Sequence, residues 1–309
     1  MTITPHPSLP EFDYIRPASL AEASEFLAHH AEDARPLLGG TDLFVRMRDG
    51  FIHPRFLVDV KYLDGTDSLS FNLDGKGTTE AGLTCGSAVN MNRLIASPEV
   101  QARYPLLAEA CRSVASYQLR TRATLVGNLC NASPAGDTIG ACLVYQAVLQ
   151  VHGVNGFRQE PLADFFLGPG KTRLKPGDIV TAVHFPPPPE GSTGIYLKLG
   201  RNQLSDLAIV GVTVLGFPDQ GTISGYRFRI ALASVAPVPL RVRQAENYLA
   251  EQLLSPDRLR EAAVLAMGTC SPIDDVRGSA RYRQAMVRNL TRKGLEAVSS
   301  RLLHAQDPN

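Results

Sequence analysis

Ala123-Thr124-Leu125-Val126-Gly127-Asn128-Leu129-Cys130-Asn131-Ala132-Ser133-Pro134-Ala135-Gly136-Asp137-Thr138 is the stretch on which the reading of this 309-residue chain turns. It carries Thr, Asn, Ser and Asp side chains among glycine and proline, with few ordinary core residues. That mixture predicts a long irregular loop rich in donors and acceptors. Long loops of this kind are often shaped by a ligand. Read alone, it also fits a solvated loop capped by Asx turns. Asp137 is its one carboxylate and a candidate acceptor for ribose hydroxyls.

A second turn lies upstream, at Leu37-Leu38-Gly39-Gly40-Thr41-Asp42-Leu43. The short apolar run Arg35 to Leu38 reads as a strand, and Leu43 to Arg48 as a short helix closed by Asp49-Gly50. A strand that delivers two glycines to a helix start can aim several backbone N–H groups at one anion, with no Cβ in the way. Thr41 adds a hydroxyl. The spacing matches neither G-x-G-x-x-G nor G-x-x-x-x-G-K-[ST], so dinucleotide and P-loop fingerprints are absent. A Gly-Gly turn of this sort is also common as plain structure.

Working outward, Ser19-Leu20-Ala21-Glu22 is a capping box, and Leu20, Ala23 and Leu27 share a face, which predicts a helix from Leu20 to His30. Phe56 to Val60 reads as the next strand, completing an α/β unit. Leu69 to Leu73 and Gly82 to Val89 read as strands around an Asp74-Gly75-Lys76-Gly77 turn. Asn90 caps a helix carrying Met91, Leu94 and Ile95. Leu106 to Val114 has helical spacing, and Asp178 to Phe185 reads as a strand. Pro186 to Pro189 then forbid helix and central strand alike, marking a domain boundary. Beyond it Ile195–Leu199, Leu207–Leu215 and Thr222–Val235 suggest an antiparallel sheet. Helices follow at Arg241 to Leu254, Pro256 to Met267 with Ser255 as cap, and Ser279 to Leu303. In the last one Val287, Leu290, Gly294, Val298 and Leu302 form a core-facing stripe. The expected division is residues 1–186, with parts at about 1–62 and 63–186, then 192–305.

Composition narrows the function classes. Lys and Arg number 31 against 30 Asp and Glu, a net charge of +1, without the basic excess of a nucleic-acid binder. Apolar residues at 44% and charged residues at 20% fit a folded globular chain. No apolar run predicts a membrane span, and Met1 to Pro10 does not read as a secretory signal. Cys85, Cys111, Cys130, Cys142 and Cys270 form no C-x-x-C pair, which argues against a disulfide framework or cysteine metal site and for a reducing cytoplasm.

Taken together, the two turns and Pro272-Ile273-Asp274-Asp275-Val276-Arg277-Gly278-Ser279-Ala280-Arg281-Tyr282-Arg283 resemble the flavoprotein subunit of the molybdenum hydroxylases, the family of xanthine dehydrogenase and carbon monoxide dehydrogenase. The resemblance runs from about Phe12 to Leu302. It implies an α+β fold: a two-part FAD-binding domain of the vanillyl-alcohol-oxidase flavoprotein type, then a smaller C-terminal α+β domain with an antiparallel sheet and helices. By resemblance, Pro36, Leu37, Leu38, Gly39, Gly40, Thr41, Asp42 and Leu43 form one loop that holds the FAD pyrophosphate. Thr124, Leu125, Val126, Gly127 and Asn128 form the other. Asp137 falls at an aspartate that hydrogen-bonds the cofactor, and Val114 and Val180 fall at positions near it. Lys198, in Tyr196-Leu197-Lys198-Leu199-Gly200-Arg201, is the candidate for the flavin end. A cation there would favour the reduced flavin; an exposed lysine on a half-buried strand is the plain alternative.

The resemblance further implies non-covalent FAD in an electron-transfer subunit. A large molybdenum-binding subunit and a small subunit with 2Fe-2S clusters would be partners, in a dimer of heterotrimers. No residue of this chain need then act on the organic substrate. The benzoyl-CoA-reducing branch carries an inserted cysteine-rich loop that has no counterpart between Phe12 and Pro186. One departure stands out: Val126 replaces a usual glycine. Either that position has negative φ, or FAD binds in an adjusted pose, or it binds less tightly. The last option keeps open a scaffold subunit that has lost FAD. A stand-alone flavin oxidase is the third reading, disfavoured by the short C-terminal domain and the lack of an acid–base pair.

Overall fold

The computed structural model describes residues 8–72, 81–202 and 206–306. The Asp74–Gly77 turn expected from sequence lies outside them. The chain opens with β1 (Asp13–Ile15), α1 (Leu20–His29), β2 (Ala34–Leu37), α2 (Leu43–Arg48) and β3 (Phe56–Asp59). Ser19 caps α1 by accepting from the Glu22 amide, and Glu22 reaches back one residue beyond the expected box, to the Ala18 amide. Ala23 and Leu27 are buried against Val58, Val60 and Ile179. The three strands pair in parallel in the order β1-β3-β2, with Leu37 opposite Asp59.

The next sheet is antiparallel. β4 (Leu69–Asn72), β5 (Gly82–Gly86), β6 (Val148–Gly153), β7 (Gly156–Pro161) and β10 (Ile179–Phe185) stand in the order β4-β5-β10-β6-β7. Every residue of β10 is buried, which fits an apolar central strand and explains why it was legible. β6 and β7 were not read from the sequence, although Leu149, Val151 and Gly153 alternate inward. Between β5 and β6 run six helices: α3 (Met91–Ala96), α4 (Pro98–Arg103), α5 (Pro105–Arg112), α6 (Tyr117–Arg120), α7 (Leu125–Asn131) and α8 (Ile139–Val144). Leu94, Leu107, Cys111, Leu125, Leu129 and Val144 share one core with Leu149 and Val183. A short hairpin, β8 (Phe166–Gly168) with β9 (Lys171–Thr172), precedes β10.

After the prolines, β11 (Thr193–Leu199), β12 (Val210–Pro218), β13 (Tyr226–Ala233) and β14 (Leu240–Arg241) form an antiparallel sheet in chain order. β12 starts three residues later than expected. The Ala208 carbonyl accepts from Ser234 Oγ, and the Ile209 carbonyl accepts from Arg283, so these groups have partners outside the ladder. The expected strand from Thr222 instead begins at Tyr226, because residues 219–225 close a turn with Gly225 at φ +74°. Helices α9 (Arg243–Ala250), α10 (Pro256–Gly268) and α11 (Ala280–Gln306) complete the domain.

Strand alternation makes β12 a two-sided wall. Val210, Val212 and Val214 pack with Val287, Leu295 and Val298 of α11. Leu215 joins the core of the preceding domain. On that side Gly140 of α8 presses so closely that a Cβ would stand 2.2 Å from Thr213 Oγ1. The C-terminal sheet is thereby docked on α8, and β11 packs on α5, the two helices that flank the site.

Candidate functional site

The turn after β2 is built by two glycines for different reasons. A Cβ on Gly39 would lie 2.1 Å from the Arg122 carbonyl oxygen and 3.2 Å from Ala123 Cα. Only a bare Cα lets this turn touch the chain leading into α7. Gly40 has φ +74°, and a Cβ there would meet the Phe44 ring at 2.6 Å. Among the described residues, the amides of Gly39, Gly40 and Thr41 donate to no protein acceptor. Asp42 Oδ1 accepts from Asn131 Nδ2 at 3.0 Å, a second tie between the two segments.

The stretch 123–138 is only in part the irregular loop expected of it: residues 132–138 are irregular, but the segment before them is helical. Leu125–Asn131 is helix α7, capped by Thr124, whose Oγ1 accepts from the Gly127 amide at 2.9 Å. Leu125, Val126 and Leu129 recur at helical spacing and are buried. The apolar periodicity inside a polar-looking stretch was the signal overlooked. Val126 is therefore the second residue of a helix, with negative φ and no backbone strain. Gly127 gives room to the cap: a Cβ would stand 2.9 Å from Thr124 Oγ1. Asn128 Oδ1 accepts from Thr138 Oγ1 at 2.7 Å, which bends the chain back after Ala132 closes the helix at φ +48°.

These segments enclose an open-mouthed cavity of about 440 Å³, within the range of ligand clefts. Pro36, Leu38, Gly39, Gly40, Thr41, Asp42 and Leu43 line one side. Thr124, Val126, Gly127, Asn128 and Asp137 line another, and Val114 and Val180 complete the wall. Leu37, Leu125 and Lys198 do not line it. The first two are packed in the core. Sequence reasoning missed Arg35, Arg46, Val60, Met91, Ala115 and Leu207, which also line the cavity. Val60, Met91 and Leu207 come from segments that meet the two turns only in space, whereas Arg35, Arg46 and Ala115 adjoin expected positions. Burial pushes the Cys130 thiol, in the same wall, up to about 12, so it is not a ready thiolate. Among the described residues no cluster of His, Cys, Asp or Glu could hold a metal ion, and no helix is long and apolar enough to cross a membrane.

Asp137 sits where the domains meet. Tyr196 and Lys198 lie two apart on β11, so their side chains share a face. Tyr196 donates its hydroxyl to Asp137 Oδ1 at 2.6 Å, and Lys198 Nζ donates to Oδ2 at 2.7 Å and to the Ser113 carbonyl at 3.0 Å. Burial raises the Asp137 carboxyl above its ordinary value, against the pull of the Lys198 charge. Lys198 is neither exposed nor at the cavity surface; it stands behind Asp137.

A three-stranded parallel sheet and a five-stranded antiparallel sheet, closing on a cleft made by two glycine turns, define an FAD-binding α+β flavoprotein domain of vanillyl-alcohol-oxidase type, followed here by a smaller α+β domain. Residues 10–188 match the FAD binding domain in molybdopterin dehydrogenase, and residues 195–298 match the CO dehydrogenase flavoprotein C-terminal domain. The chain is 33% identical to the carbon monoxide dehydrogenase medium chain of Hydrogenophaga pseudoflava, over 94% of this chain and 98% of that one. It is 30% identical to the nicotine 6-hydroxylase medium subunit of Paenarthrobacter nicotinovorans, over 95% and 99%. A solved structure of the Hydrogenophaga pseudoflava carbon monoxide dehydrogenase superposes with a TM-score of 0.88 at 33% identity, covering 95% of this chain and 99% of that one. This chain belongs to the FAD-binding subunits of the molybdenum hydroxylases, the oxidoreductase family that includes carbon monoxide and xanthine dehydrogenases.

Proposed function

We propose that the protein holds one FAD non-covalently in this cavity and serves as the electron-transfer subunit of a cytoplasmic molybdenum hydroxylase. Its partners would be a large subunit with the molybdenum cofactor and a small subunit with 2Fe-2S clusters, paired as a dimer of heterotrimers. The observation that carries the reading is the contact at Gly39, where the absence of a Cβ brings two donor-bearing turns together on one cleft. Bound flavin supplies the redox chemistry, accepting electrons singly and releasing one or two to an external acceptor.

The chain's own residues bind and orient. Free amides at Gly39 to Thr41 and at the start of α7 suit the pyrophosphate. Asp137 offers its carboxylate at the cavity wall, oriented by Tyr196 and Lys198. Val114 and Val180 give apolar surface for a ring system. The helical position of Val126, with negative φ, removes the backbone objection to FAD that its β-branch raised.

Acid or heat treatment of the purified yellow protein should release FAD, and two further subunits, one cysteine-rich, should co-purify. Released FMN, or colourless protein from flavin-replete cells, would refute the cofactor assignment. Flavin-loaded protein that turns over an organic substrate without partners would favour a stand-alone oxidase.

A further inference from the structure

Residues 113–116 join α5 to α6, and Val114 and Ala115 line the cavity. Ala115 has φ +42°, a conformation a non-glycine residue keeps only where its surroundings impose it. Two cations grip this wall. Arg120 Nη1 donates to the carbonyls of Arg112, Val114 and Ala115 at 3.1, 2.7 and 3.1 Å. Lys198 takes the intervening Ser113 carbonyl at 3.0 Å. Four consecutive carbonyls thus face positive charge. Ordinary helix capping accounts for the carbonyl at the end of α5. It does not account for those of Val114 and Ala115, which lie beyond the helix. Arg120 is itself aimed: its Nε donates to Asn92 Oδ1 at 3.3 Å, and Asn92 Nδ2 donates to the Tyr117 carbonyl at 3.0 Å.

The two cations differ in one respect. Lys198 is offset by Asp137. Arg120 pairs with no carboxylate among the described residues, and the sequence carries no acid between Glu109 and Asp137. We propose that Arg120 is a positioning residue for the cofactor: it holds the Arg112–Ala115 wall in its strained shape and leaves uncompensated positive charge behind it. This rests on the FAD reading above. A flavin against that wall gains electron density on reduction, so the charge favours the reduced form.

The full chain is loaded with FAD, and the FAD dissociation constant, flavin midpoint potential and melting temperature are measured for wild type, Arg120→Gln and Arg120→Lys. The glutamine variant should bind FAD about tenfold more weakly, as loss of charge-assisted hydrogen bonds to the wall implies. Its flavin potential should move to more negative values. The lysine variant should recover most of both. Wild-type affinity and potential in Arg120→Gln would overturn the proposal. So would a lysine variant no better than glutamine, or a fall in melting temperature with the potential unmoved. Should Arg120→Gln fail to fold, Asn92→Ala removes only the Nε partner; it should weaken FAD binding by a smaller factor and keep the potential, and unchanged affinity would count against the clamp. Wild-type protein that binds no FAD defeats the proposed function itself. Wild type that binds FAD while Arg120 proves indifferent defeats only this inference.

Discussion

Gly39→Ala is the sharpest test of the site's construction. Gly39 has no positive φ, so backbone strain plays no part and the effect is steric. The added methyl would lie 2.1 Å from the Arg122 oxygen and 2.8 Å from its carbonyl carbon. Both are backbone atoms that cannot rotate away, so the turn after β2 and the segment entering α7 must part by roughly 1 Å, and such overpacking costs about 1–3 kcal/mol. At about 2–4 °C per kcal/mol for a domain of this size, the melting temperature should fall by about 2–12 °C. The cofactor should suffer as well, because displacements on the order of 1 Å at a positioned site are costly. FAD affinity should drop at least about tenfold, or about 1.4 kcal/mol. Calorimetry of the full chain and titration of flavin fluorescence read the two effects separately. A variant that melts with wild type and binds FAD within about twofold would refute the packing of the two turns.

Asp137→Ala should lower both FAD affinity and stability, since it strands a Lys198 side chain only 16% exposed and the buried Tyr196 hydroxyl. Breaking such a pair costs about 3–5 kcal/mol, so a thermal melt unchanged by the substitution would contradict the network. Val126→Gly should destabilise: it removes a fully buried valine from a helix, for about 2–3 kcal/mol of lost burial and propensity together. A glycine variant that tightens FAD binding would show that the valine does obstruct the cofactor. Asp275 is held below the usual carboxylate range by hydrogen bonds from Arg277, with Arg283 also bonding it. Its folded value lies below its unfolded one, so its contribution is present above about pH 4 and is lost as pH falls toward the folded value. Asp275→Ala should therefore lower the melting temperature most near neutrality and least at acid pH. An equal drop at all pH values would count against the ion pair.

Much was legible in the sequence, for identifiable reasons. Capping residues fixed helix starts at Leu20, Met91 and Pro256, because an N-cap oxygen satisfies amides within three residues of itself. The continuous apolar run of β10 and the stripe on α11 announced burial before any partner was known. The Gly39-Gly40 turn declared itself through residue type. The long polar stretch misled, because its side chains suggested a loop while Leu125, Val126 and Leu129 satisfied a helix capped by Thr124.

Only the tertiary structure decided what Gly39 touches, that Val126 has negative φ, and that Lys198 faces Asp137 rather than the cavity. The Arg120 clamp on the Arg112–Ala115 wall was equally invisible. Local sequence sets dihedral preferences and which face of an element is apolar. It does not say which distant carbonyl or carboxylate a long cationic side chain will meet. That choice follows from docking the C-terminal sheet on α5 and α8, where Tyr196 and Lys198 arrive across the domain interface at a carboxylate some sixty residues earlier in the chain. Burial there leaves the charges little water to turn to, so the pairing forms where the fold brings the groups together.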